Sequence, residues 1–265
     1  MAHVVITDPG DARVADYRRL NDAGHRRRIE AGGPFGGGFL IAEGWLAVER
    51  AVRAHLAVRS VLVLDSKVER ADELLGRVDV PVFIVGPEVC REIVGFELHR
   101  GVVAAAARRR PADPDVLVAR SSRLLVIDGV NDGENIGALF RGAAALGADG
   151  VLVDPTSADP LSRRAVRGSV GHSLALPWAR GSLAGRLGDH TVVALTPAPA
   201  AHDLRTVDVG DGPVAVLVGA EGPGLDAESR GLADIEVRIP MARGVDSLNV
   251  ATAASIAMWH LFRQT

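Results

Sequence analysis

The sequence predicts two α/β domains. Short strands rich in valine and isoleucine alternate with amphipathic helical segments along the chain. Continuous apolar runs such as Val214–Val218 have the character of strands buried on both faces of a parallel sheet. A charged stretch framed by prolines, Arg108-Arg109-Arg110-Pro111-Ala112-Asp113-Pro114, separates two such series. The predicted domains are therefore 1–112 and 113–265. A length of 265 residues accommodates them at roughly 100–200 residues per domain.

Before the linker the patterning predicts a helix over Ala12–Ala31 and a glycine-rich loop, Gly32 to Gly38. A helix near Trp45–His55 follows, then a strand Val61–Leu64 and a helix near Val68–Leu75. Strands Val82–Val85 and Val102–Ala106 complete the smaller domain. After the linker the predicted strands are Leu124–Ile127, Val151–Val153, Val192–Leu195, Val214–Val218 and Ile235–Ile239. Amphipathic segments intervene at Ile136–Leu146, Leu161–Ser169, Leu225–Leu232 and Leu248–Phe262.

Composition excludes several classes. Hydrophobic residues make up 48% and charged residues 24%, enough apolar side chain to fill a core. No window approaches the ~18 apolar residues of a membrane span, and the opening MAHVVITDPG has no secretory pattern. The single cysteine, Cys90, rules out an internal disulfide framework and a multi-thiolate metal site, and the expected compartment is the cytoplasm. The scattered histidines give no support for a metal. A net charge of −3 is not that of a bulk polycation. The basic residues are nevertheless almost all arginine, with Lys67 the sole lysine. That bias is either compositional or suited to forked phosphate contacts. The triplets Arg26-Arg27-Arg28 and Arg108-Arg109-Arg110 are correspondingly either solvated surface or RNA contacts.

Neither a Gly-x-Gly-x-x-Gly fingerprint nor a phosphate loop of the GxxxxGK type is present, so a Rossmann dinucleotide site lacks its usual signature. Instead, three segments rich in glycine and asparagine follow predicted strands, where open α/β sheets bind ligands. The first is Asn131-Asp132-Gly133-Glu134-Asn135-Ile136-Gly137-Ala138-Leu139-Phe140-Arg141. Asn135 is placed to cap the following helix. Arg141 interrupts the apolar stripe of Ile136, Leu139, Phe140 and Ala143, and read alone it is a surface arginine. The second is Val218-Gly219-Ala220-Glu221-Gly222-Pro223-Gly224-Leu225, whose glycines allow close backbone approach. Glu221 there is either a capping acid or a functional carboxylate. The third is Ile239-Pro240-Met241-Ala242-Arg243-Gly244-Val245-Asp246-Ser247-Leu248-Asn249, in which Ser247 is placed to cap the final helix.

Taken together, "NDGENIGALFR", "LVGAEGPGL" and "IPMARGVDSLNVATA" resemble the three motifs of the SpoU/TrmH-type RNA ribose methyltransferases of the SPOUT superfamily. The stretch "DPTSADPLSRRAVRGSVG" is similar to the same family. "AEGWLAVERAV" and "ELHRGVVAAA" are similar to its substrate-binding domain, which resembles a ribosomal protein. Gly142 departs from the threonine usual after the motif arginine. The resemblance implies a C-terminal trefoil-knotted domain, a rare exception to the rule against threading. It implies methyl transfer from S-adenosyl-L-methionine to a ribose 2′-hydroxyl of RNA, with rRNA favoured over tRNA. A non-catalytic RNA-binding protein of the same fold is the alternative from another class. By the same resemblance Asn135, Arg141, Glu221, Ser247 and Asn249 are the catalytic candidates. Gly219, Ile239 and Leu248 match cofactor positions, with Thr196 and Met241 as neighbours. A homodimer is implied, and no metal or membrane.

Overall fold

A computed structural model describes residues 2–22, 24, 38–76 and 78–262. The chain forms two compact units. One comprises Met1–Arg109 with Leu161–Ala175, the other Arg110–Pro160 with Leu176–Thr265.

The first unit is built on a five-stranded sheet: β1 (Ala2–Ile6), β2 (Phe39–Glu43), β3 (Val58–Leu64), β4 (Pro81–Val85) and β5 (Val102–Ala107), in the order β1-β4-β3-β5-β2. β1, β4 and β3 run parallel, while β5 is antiparallel to both β3 and β2. Helices Trp45–Arg53, Val68–Leu75 and Pro87–Val94 each bury an apolar stripe. The core contains Ile6, Tyr17, Leu20, Ile41, Leu62, Ile93 and Val103. Tyr17 is fully buried and satisfies its hydroxyl on Ser60 Oγ at 2.7 Å, while accepting from the Ala105 amide.

Three expectations change here. The helix expected over Ala12–Ala31 is a short 3-10 helix, Ala12–Tyr17, opened by Asp11 and followed by turns. Its expected continuation at 25–31, the loop at 32–37 and the triplet Arg26–Arg28 lie outside the described residues. The strands β1 and β2 were not foreseen. Finally, Leu161–Ala175, expected within the C-terminal domain, packs in the first unit. The reason is a largely shielded clamp. Arg163 donates Nε and Nη2 to Glu43 Oε2 at 2.9 and 2.6 Å, Nη1 to the Leu20 carbonyl, and lies 4.3 Å from the Phe96 ring centroid. Both partners are largely shielded from water, so the pair stands or falls together.

The second unit carries a seven-stranded, all-parallel sheet. Its strands are β6 (Arg123–Ile127), β7 (Gly150–Val153), β8 (Trp178–Arg180), β9 (Thr191–Leu195), β10 (His202–Asp203), β11 (Val214–Val218) and β12 (Ile235–Arg238). The order is β10-β12-β9-β11-β6-β7-β8. Every residue of β11 is buried, as its unbroken apolar run requires. Helix Gly133–Ala145 packs against helix Val250–Leu261. At their crossing a Cβ on Gly142 would lie 2.7 Å from Ser255 Oγ, so a side chain fits there only if the Ser255 hydroxyl turns aside. Among the described residues no helix is long and apolar enough to cross a membrane.

The clamp supplies a stability test. Arg163→Ala leaves Glu43, 14% exposed, without its cation and should cost up to about 3–5 kcal/mol in denaturant unfolding of the first unit. A loss within the range of an exposed ion pair, below about 1 kcal/mol, would show that the clamp holds nothing.

Candidate active site

In an all-parallel sheet the carboxyl ends of the strands share one edge. There the turns after β9, β11 and β12 surround an open cleft. Leu195, Val218, Ile239, Met241 and Leu248 give it apolar walls, while Thr196, Gly219, Glu221 and Ser247 also line it. All five candidate cofactor positions thus face one cavity. Leu195, Pro197, Val237, Val250 and Ala253 line it too. They carry no sequence signal beyond being apolar or small.

The turn after β11 is folded tightly on itself. A Cβ on Gly219 would stand 2.5 Å from Gly224 C and Leu225 N, so any side chain there would collide with backbone. The Gly224 amide donates to the Ala220 carbonyl at 3.0 Å, closing the turn that displays Glu221. Among the lining residues Glu221 is the sole ionisable side chain. Among the described residues it has no ion pair.

Behind the cleft, Asn249 joins all three motifs. Its Oδ1 accepts from the Ala251 and Thr252 amides at 3.0 and 3.2 Å, capping helix Val250–Leu261. That leaves Nδ2 with two hydrogens. One goes to Asn135 Oδ1 and the other to Glu221 Oε1, each at 2.8 Å. Every hydrogen of the amide is used.

Two expected caps are corrected by this arrangement. Asn135 does not cap helix Gly133–Ala145. Asp132 does, accepting from the Glu134 amide, and Asn135 lies inside the helix, buried, with its carbonyl on Asn249. Ser247 does not cap the last helix. It is exposed at the cleft, with only a long 3.5 Å contact to Asp246. Arg141 is exposed, as a surface arginine is, but it does not interrupt the apolar stripe. The buried stripe is Ile136, Leu139, Phe140 and Ala143, and Arg141 projects from the solvent flank of the helix, one residue step of about 100° past Phe140. It neither lines the cleft nor joins the Asn135–Asn249–Glu221 group.

A second polar group, not foreseen, holds the loop that carries the first motif. Buried Asp154 accepts from the Gly129, Thr156 and Ser157 amides and from the Thr156 and Ser157 hydroxyls. Burial alone would raise its pKa. The hydrogen bonds from Ser157, Thr156 and Gly129 outweigh that and lower it. Ser157 Oγ in turn accepts from the Val130 amide. Arg180 closes the assembly, with Nη1 and Nη2 on the carbonyls of Asp154, Pro155, Ser157 and Ala158. Nearby Asp128 is shifted upward, chiefly by burial and secondarily by surrounding carboxylates. Among the described residues no group of three or more His, Cys, Asp or Glu is placed to hold a metal ion.

Comparison with known proteins agrees with this geometry. The family described as SpoU rRNA Methylase matches residues 122–259. A Mycobacterium tuberculosis protein bearing the name uncharacterized tRNA/rRNA methyltransferase is 39% identical over 268 residues, covering 97% of this chain and 91% of its own. Among solved structures, an AdoMet-bound rRNA methyltransferase from Sinorhizobium meliloti superposes with a TM-score of 0.79 at 27% identity, covering 97% of each chain. The SpoU methyltransferase AviRb from Streptomyces viridochromogenes, in complex with AdoMet, gives 0.76 at 26% identity, covering 94% of this chain and 97% of its own. An RNA 2′-O ribose methyltransferase gives 0.74 at 26% identity, covering 98% and 97%. With the match extending over both units and through all three motifs, the chain belongs to the SpoU/TrmH family of RNA methyltransferases.

Proposed function

We propose that the protein transfers a methyl group from S-adenosyl-L-methionine to a ribose 2′-hydroxyl of rRNA, in the cytoplasm. The observation that carries this reading is the cleft. Its apolar walls suit the faces of an adenine ring, and its turns offer backbone donors and acceptors to the ring edge. Its one carboxylate, Glu221, suits the positively charged end of the cofactor. Thr196, Gly219, Ile239, Met241 and Leu248 would hold the cofactor. When bound, it supplies an electrophilic methyl group on a sulfonium. The two AdoMet-bound relatives support the assignment, and the ribose methyltransferase among the structural relatives supports the 2′-hydroxyl as acceptor. We place a trefoil knot in the turns around the cleft on the strength of the family motifs, and a substrate-binding role in the first unit.

The chain's own contribution is alignment. Methyl transfer would break the S–CH3 bond, form the O–CH3 bond, leave a neutral thioether and release the hydroxyl proton to water, so positive charge is passed on rather than created; orientation of the reacting groups dominates, and it is worth up to roughly 7–11 kcal/mol. Asn249 fixes the Glu221 carboxylate and the start of the first-motif helix in one frame. Ser247 is exposed at the mouth, where it can meet the ribose. Arg141, free of ion pairs among the described residues, would grip the phosphate next to the target ribose with its planar fork. An arginine with pKa above ~12 is a poor proton acceptor, so its task is to position.

The protein is further proposed to act as a homodimer through helix Val250–Leu261. This helix is apolar around most of its circumference and leaves Trp259 71% and Ile256 39% exposed in the single chain. A second copy of the same helix is the occupant we assign to this face. Light scattering should give twice the 27.7 kDa chain mass, and Trp259→Asp should return it to the monomer. A monomeric wild-type protein at micromolar concentration contradicts the dimer.

Reaction and target are tested together by single-turnover methylation of deproteinised rRNA and bulk tRNA, read by nucleoside mass spectrometry. The expected product is one 2′-O-methylnucleoside from rRNA. Product from tRNA alone would reassign the substrate, and a base-methylated product would reject the 2′-hydroxyl. In the same assay Arg141→Ala should lose at least about 99% of the rate with cofactor affinity intact. Arg141→Lys should fail nearly as badly, since a point charge does not reproduce the fork. Near-normal turnover in the alanine variant removes Arg141 from the mechanism.

A further inference from the structure

We propose that Lys67, Arg70 and Arg100 form a phosphate-binding surface on the first unit that grips the RNA backbone. This rests on RNA being the substrate. It names a surface different from the arginine triplets that the sequence marks out.

The argument starts from where the cations of this acidic protein are spent. Arg13, Arg53, Arg59, Arg123, Arg163, Arg186, Arg205 and Arg230 each stand in an ion pair with a carboxylate. Arg18, Arg50 and Arg180 donate to backbone carbonyls. Of the triplet Arg108–Arg110, Arg108 is half-buried and Arg109 donates to the Leu174 carbonyl. Lys67, Arg70 and Arg100 are all exposed, and none has an ion pair among the described residues.

These three converge on one short piece of backbone. Arg70 lays its guanidinium 4.5 Å from the centroid of the Trp45 ring. Arg100 runs across Gly44, its Cδ 2.7 Å from where a Cβ would stand there. Lys67 runs across Gly101, with Cγ 3.0 Å from the equivalent point. Gly44 and Gly101 are themselves neighbours, because the Gly44 amide bonds the Val102 carbonyl and the Leu64 amide bonds the Gly101 carbonyl. The chain's only lysine and two of its arginines are thus gathered at the ends of β2, β3 and β5.

No carboxylate among the described residues forms an ion pair with any of the three; Asp72 is bonded to His3. Glu43 is taken by Arg163. Asp65 accepts from the Ser66 amide, and neither it nor exposed Glu69 pairs with any of the three. Like charges brought together without partners repel one another, and an anion relieves that repulsion. Exposed Leu46, 48% accessible beside Trp45, adds an apolar edge that a sugar or base can cover. Cations spaced along a surface with an apolar neighbour suit a polyanion with bases rather than a lone phosphate ion.

The test is fluorescence anisotropy of the full chain with end-labelled fragments of deproteinised rRNA over a salt series. Each phosphate contact contributes about 0.7–0.9 to the slope of log affinity against log salt. Neutralising all three residues to glutamine should weaken binding about tenfold or more and lower the slope by about two. Calorimetric binding of S-adenosylhomocysteine should stay unchanged. Arg13→Gln with Arg205→Gln, which removes two paired charges, should leave the slope nearly intact. Should the triple variant not fold, Lys67→Glu with Arg100→Glu replaces it, since both side chains are exposed. Wild-type binding that the variants reproduce in affinity and slope overturns this surface and leaves the RNA reading standing. A wild-type protein that binds no rRNA overturns both. Competition by polyglutamate as effective as that by rRNA would make the surface a site for acidic protein instead, and so overturn it as an RNA site.

Discussion

One carboxamide holds the candidate active site together. Asn249 caps the last helix with its oxygen and gives its two amide hydrogens to Asn135 and Glu221. Those partners lie 114 and 28 residues away in the chain. Losing the cap alone costs about 1 kcal/mol. Leaving buried Asn135 without its donor adds about 1–3 kcal/mol. The larger consequence is geometric. Among the described residues, no other side chain bonds both Asn135 and Glu221, so the register of the three loops at the cleft depends on this amide.

The remainder of the second unit serves that geometry. The parallel sheet brings the ends of β6, β9, β11 and β12 to one edge. Asp154 and Ser157 fasten the loop after β6 through the Gly129 and Val130 amides, and Arg180 fastens the loop after β7 through its carbonyls. The cleft walls are left apolar, with a lone carboxylate at the mouth. Alignment chemistry benefits from such a site, because rigid donors and acceptors lose little entropy when the reactants arrive. In the first unit the same economy is visible in the Arg163–Glu43 clamp, which ties a segment distant in sequence onto β2.

What the sequence made legible follows from how local the cause was. β11 was readable to the residue because burial on both faces demands an unbroken apolar run. The Val68–Leu75 helix was equally clear from its stripe. β1 escaped notice because it is an edge strand with an exposed face, so its residues show no alternation. The five cofactor candidates were found through motif resemblance, and the structure gathers them around one cavity. The capping residues were misplaced for a physical reason. Asp132 and Asn135 are both good caps three residues apart, and only the distant Asn249 decides that Asn135 turns inward. Ser247 and Asn249 compete in the same way. In the sequence Arg141 reads as an interruption of the apolar stripe, but one helical step takes that side chain out to solvent. The Asp154–Arg180 assembly had no local signal, because most of its bonds go to backbone amides and carbonyls of loops.

The central claim is that Asn249 sets the register of the three motif loops. Hydrogen–deuterium exchange on Asn249→Ala tests it most directly, read on the peptide spanning Ala220–Leu225. In the wild type the Gly224 amide of that turn is bonded to the Ala220 carbonyl. The account predicts faster exchange there and at the start of the Gly133–Ala145 helix, with β6 and β11 unchanged. Unaltered exchange of the Ala220–Leu225 turn in the variant would contradict it.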